Sequence, residues 1–136
     1  MRALDEGADV ERRTGSCHCG AVVFEVELAH GLEQLRRCNC SLCRRKGAVM
    51  ASVPTDRLRI VQGADRLTLY QWNTRQARHY FCSVCGIYTH HQRRSVPTEF
   101  GFNVACLEGV DPYALGPIPV GNGASQSVAG PPARPG

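Results

Sequence analysis

The chain has 136 residues, 43% of them hydrophobic, and a formal net charge of +4 at pH 7. That length predicts one domain with a modest core, and no apolar run approaches the roughly 20 residues of a transmembrane helix. The mild positive charge is compatible with an anionic small molecule or with weak attraction to nucleic acid.

Taken in chain order, the opening MRALDEGADVERR mixes acids and bases. It lacks the apolar stretch of a signal peptide, so the expected location is cytoplasmic. Residues 1–14 read as a flexible N-terminal segment. From Ala21 to Leu28, Phe24, Val26 and Leu28 alternate with Glu25 and Glu27, which predicts a half-buried strand. Leu32–Arg37 predicts one helical turn, and Ser41–Lys46 another, with Ser41 as its N-cap. GAVMASV (47–53) predicts a buried strand closed by Pro54. RLRIVQG (57–63) and RLTLYQW (66–72) flank Ala64-Asp65 and predict a hairpin turning near Gly63. ARHYF (77–81) and IYTHHQ (87–92) are short strands around a cysteine turn. EFGFNVACL (99–107) alternates again, with Phe100, Phe102 and Val104 on one face. From Gly116 the tail is rich in Gly, Pro, Ala and Ser, a composition that packs poorly.

Eight cysteines stand out in so small a chain. A reducing cytosol makes metal binding a better reading than disulfides. Cys17-His18-Cys19 is a C-x-C, and extended backbone points its two thiols to one side. Cys82-Ser83-Val84-Cys85 is a C-x-x-C followed by Gly86, which permits the left-handed backbone of a metal knuckle. These two clips supply the four ligands of a closed zinc tetrahedron, with Zn–S of about 2.3 Å. Cys38, Cys40 and Cys43 form a C-x-C-x-x-C with no evident fourth ligand. Three protein ligands and one open position are the arrangement of a reactive zinc site. Cys106, His18, His79, His90 or His91 could close it instead, leaving two structural zincs and no chemistry.

The blocks GSCHCGAVVFEV (15–26), CNCSLCRRKGA (38–48), YFCSVCGIY (80–88) and FNVACLEGV (102–110) resemble the glutathione-dependent formaldehyde-activating enzyme family, whose wider domain includes centromere protein V. The resemblance covers residues 15–110 in order. It implies a mainly β fold of small packed antiparallel sheets around a structural zinc, with few helical turns. It assigns Cys17, Cys19, Cys82 and Cys85 to the structural zinc and Cys38, Cys40 and Cys43 to a catalytic zinc. The expected domain is then 15–115, followed by the 116–136 tail.

The resemblance further implies a carbon–sulfur lyase that joins glutathione to formaldehyde, with two zinc ions per chain and the second labile. Arg44, Arg45, Lys46, Arg93 and Arg94 are candidate partners for the glutathione carboxylates, and Arg44 leads because it adjoins Cys43. The alternative is a non-enzymatic zinc module for protein or nucleic-acid interaction, which would need a large basic or aromatic surface. A third reading makes Cys106 the nucleophile of a thiol redox enzyme.

Overall fold

Apolar alternation makes strands over most of the expected segments, and the computed structural model describes residues 10–72 and 74–126. Among them the elements run β1 (Glu11–Ser16), β2 (Val23–Leu28), β3 (Arg37–Cys38), α1 (Ser41–Lys46), β4 (Met50–Pro54), β5 (Leu58–Gln62), β6 (Leu67–Tyr70), β7 (Arg78–Cys82), β8 (Tyr88–Gln92), β9 (Glu99–Asn103) and β10 (Val120–Gly121). The fold is mainly β, as expected. One antiparallel sheet has the order β1-β2-β5, a second β4-β9-β8-β7-β6, and β3 pairs with β10 in parallel.

The two larger sheets share one core. Phe24, Val26 and Leu28 of β2 join one cluster with Ala51, Val53 and Phe102 from the other sheet and Val104 just beyond β9. Phe24 and Phe102 are fully buried. Gly15, opposite Phe24 in the register, leaves room for that ring, because a Cβ there would overlap it.

Five local expectations change. Residues 11–14, expected to be loosely ordered, belong to β1, where Arg13 and Gly15 lie opposite Val26 and Phe24. The expected hairpin at Gly63 does not form. Strand β5 pairs with β2 (Leu58 opposite Val26), whereas β6 pairs with β7 (Thr68 opposite Phe81). Gly63 does turn, at φ +81°, but it lies so close to the Ala21 carbonyl that a Cβ would collide with it. The turn is thereby anchored to the approach of β2, and a 3-10 turn at Ala64–Arg66 sends the chain into the other sheet.

The segment 32–37 is not helical. Gln34 adopts φ +59°, and Arg36 exchanges both backbone hydrogen bonds with Met50. It serves as an irregular neighbour to β4. Helix α1 forms where expected, but its N-cap is Cys40, whose sulfur accepts from the Cys43 amide. Finally, part of the tail is held in place, since Ile118 packs against the core and β10 lies on β3. The tail beyond residue 126 and residues 1–9 fall outside the described residues.

Candidate metal centres

The first cluster gathers Cys17 from the end of β1, Cys19 beyond it, Cys82 at the end of β7 and Cys85 in the following turn. Their sulfurs all lie within 4.8 Å of one another. Cys17 Sγ is 3.7 Å from Cys19 Sγ, which is 3.8 Å from Cys82 Sγ. A disulfide needs about 2.05 Å, whereas a tetrahedron of sulfurs about 2.3 Å from a central zinc has edges of about 3.8 Å. The four sulfurs therefore fit a zinc-type ion. The Val22 amide donates to Cys17 Sγ, and the Val84 and Cys85 amides donate to Cys82 Sγ. Such donors stabilise thiolates. Gly86 turns at φ +82°, as a knuckle requires.

The second cluster is Cys38, Cys40 and Cys43, again within 4.8 Å of one another. Strand β3 supplies Cys38, and α1 supplies Cys43 with Cys40 as its cap. Hydrogen bonds from Cys40 and Cys43 hold the Cys38 thiol well below its ordinary range, while Cys38 and Cys40, with burial, push Cys43 up. Three sulfurs so close cannot all ionise without a cation, which again fits a metal. Among the described residues, no histidine and no fourth cysteine joins this group. Gly123 packs against it, since a Cβ there would overlap Cys38 Sγ.

The trio faces a cavity of about 180 Å³ whose wall includes Arg36, Trp72, His79, His91, Arg93 and Arg94. Arg36 donates to the Gln34 carbonyl and to Ser52 Oγ, while Arg93 pairs with Glu99 at 2.7 Å. Burial and the Arg93 charge hold the Arg36 guanidinium below its ordinary range. Arg44 and Arg45, expected beside the site, are exposed and off this wall. Successive helical residues point about 100° apart, so adjacency to Cys43 turns Arg44 away. Lys46, three residues beyond Cys43, instead falls on the inner face.

Lys46 is a half-buried ammonium. Its Nζ sits 3.2 Å from His79 Nδ1 and 3.5 Å from the centre of the Tyr88 ring. Burial draws its pKa down to about 8, against the pull of Cys43, Cys40 and Cys38. His91 Nδ1 meets the Tyr88 hydroxyl at 2.6 Å. Burial, reinforced by Lys46, lowers His79 to about 3 and His91 well below its ordinary value. His90 is buried elsewhere in the sheet, stacked on Tyr80, and His18 is exposed. Cys106 donates to the Tyr88 carbonyl, and burial with nearby Cys17 and Cys85 pushes it up to about 12. A thiol held protonated makes a poor redox nucleophile.

Sequence reasoning missed Arg36 and Tyr88. Arg36 had a signal, because period-two spacing places it on the same side as Cys38. Tyr88 had none, since its partner comes from fold-level packing.

Residues 12–118 match the family model described as glutathione-dependent formaldehyde-activating enzyme. A Halomonas elongata protein, provisionally named a glutathione-dependent formaldehyde-activating enzyme, is 39% identical over 80 residues. The alignment covers 52% of this chain and 50% of that protein, so the chain spans about half the length of this curated relative. A crystal structure of a Rhodobacter sphaeroides protein aligns with TM-score 0.76 and 60% identity, over 79% of this chain and 98% of the other.

Proposed function

From the premise that the chain belongs to the glutathione-dependent formaldehyde-activating enzyme family, we propose that it is a zinc-dependent carbon–sulfur lyase-type enzyme joining glutathione to formaldehyde. The observation that carries this reading is the three-sulfur cluster of Cys38, Cys40 and Cys43. It has no fourth ligand among the described residues and faces a cavity walled by arginines. Cys17, Cys19, Cys82 and Cys85 hold a structural zinc, and the trio holds a catalytic one, giving two ions per chain.

A zinc held by the trio would ionise a thiol at its open position, a gain of roughly 30-fold over the few per cent of thiolate present at pH 7. The protein's own groups then bind and orient. Arg36, Arg93 and Arg94 attract the glutathione carboxylates through charge-assisted hydrogen bonds. Partners of their own hold Arg36 and Arg93 in place, so less side-chain freedom is lost on binding. Lys46 offsets the negative charge of the cluster. Cysteines used as metal ligands rather than in disulfides suit a reducing, cytoplasmic setting.

The rate of S-(hydroxymethyl)glutathione formation, with and without zinc-loaded protein, tests the reading. Acceleration that disappears in Cys40→Ser is expected. Equal rates with and without protein would sink the substrate pair.

A further inference from the structure

Two imidazoles on the cavity wall are left half-satisfied. His79 and His91 are each 8% exposed, and their rings stack with centres 5.1 Å apart and planes 19° apart. An ammonium has donors and no acceptor. Lys46 therefore donates to His79 Nδ1, and the His79 proton sits on Nε2. The Tyr88 hydroxyl is buried, and among the described residues its partner is His91 Nδ1. The reverse direction would leave a buried O–H unpaired, so we assign the hydroxyl proton to that nitrogen and the His91 proton to Nε2. Among the described residues neither Nε2 has a hydrogen-bond partner. Buried N–H groups are rarely left unpaired. Gly101 makes room for the second ring, since a Cβ there would overlap His91.

We propose that His79 and His91 form a paired donor site for a negatively charged oxygen, the alkoxide that develops as a thiolate adds to a carbonyl. The assignment rests on the carbonyl-addition reading above. In that step the sulfur lone pair makes the C–S bond. The π pair of the carbonyl moves onto oxygen. Two neutral N–H groups hold that oxygen until it takes a proton from solvent, and the S-hydroxymethyl adduct then departs whole. Fixed donors aimed at developing charge lower a barrier without reorganising. The two Nδ1 partners, Lys46 and Tyr88, lock both rings in the donating tautomer.

Nitrogen-15 NMR of the histidines in the full zinc-loaded chain at neutral pH reads the tautomers without reference to activity. Protons on Nε2 of both rings are expected, and an Nδ1–H tautomer or an imidazolium at either overturns the assignment. In kinetics, His79→Phe and His91→Phe are each expected to lower kcat about 100-fold or more, with KM for glutathione kept. His79→Gln, which retains a side-chain N–H, is expected to lie between. A raised KM at unchanged kcat overturns the assignment, because the pair would then hold a carboxylate of the thiol. Wild-type protein that does not accelerate the reaction overturns both this and the carbonyl-addition reading. Acceleration preserved in both phenylalanine variants overturns the paired-donor site alone.

Discussion

Asn39, between two of the three clustered sulfurs, donates its side-chain amide to the Asn122 side-chain oxygen at 3.1 Å. Its backbone amide donates to the Gly121 carbonyl, and its own side-chain oxygen accepts from the Ala124 amide at 2.9 Å. The segment around β10 is thus clasped to the loop that carries Cys38 and Cys40. Gly123, inside the clasp, faces Cys38. Gly123→Ala should push Cys38 out of the cluster. The expected outcome is a fall from about two zinc ions per chain to about one, with cooperative unfolding retained. Metal analysis beside a thermal melt checks both halves.

The two clusters should respond differently to the loss of one sulfur. Cys82→Ser breaks a site that ties β1 to β7, and binding of a structural zinc is worth roughly 10–16 kcal/mol apparent. That variant is expected to lose cooperative unfolding altogether. Cys40→Ser opens a site drawn from one short stretch, so one zinc should leave while the fold stays. Circular dichroism melts of both variants, taken with their zinc content, decide the matter.

Arg36→Ala should raise KM for glutathione by about 10- to 100-fold, the cost of a charged hydrogen bond. The kcat should hold. Arg44→Ala, on the outer face of α1, should leave both constants unchanged. Steady-state kinetics of the pair separates a carboxylate clamp from general surface charge, which would affect them alike.

Stability should fall on mild acidification. Burial lowers the His90 pKa from 6.5 to about 4. Above pH 6.5 the imidazole is neutral in folded and unfolded chains, and the contribution is fully present. Between pH 6.5 and about 4 the unfolded chain takes a proton that the folded one refuses. Each such histidine then removes up to about 1.4 kcal/mol per pH unit. His90→Phe, which keeps a ring against Tyr80 and Phe100, should flatten the slope by up to that amount. Urea midpoints across this pH range measure it, and identical slopes would count against burial as the cause.

Much of this was legible in the residues themselves. Alternation at Phe24, Val26 and Leu28 revealed β2 and its buried face. The spacings of the cysteine clips divided them into the two groups that the fold gathers. What alternation cannot state is which neighbour a strand takes. Leu58–Gln62 and Leu67–Tyr70 both alternate, yet they pair with β2 and β7 in different sheets, and the chain divides at Gly63, which lies against Ala21. The histidines hid for a related reason. HisHis in β8 looks the same in sequence whether it faces solvent or a core, and β9 covers it only through long-range pairing. The β10 segment has a coil-like composition because it is held by a short backbone pairing with β3 and by the Asn39 clasp, partners that lie far away in sequence.

Position along the chain would also set the order in which the two clusters become able to take an ion during synthesis. Cys19 and Cys82 stand 63 positions apart, whereas Cys38, Cys40 and Cys43 fall within one short loop and helix turn. Once Cys43 has left the ribosome, the trio can capture an ion. The four-sulfur site must wait for Cys85, and the clasp from Asn122 arrives later still. An ion held by the trio would then be admitted first, the frame would lock around it second, and the door would close behind both.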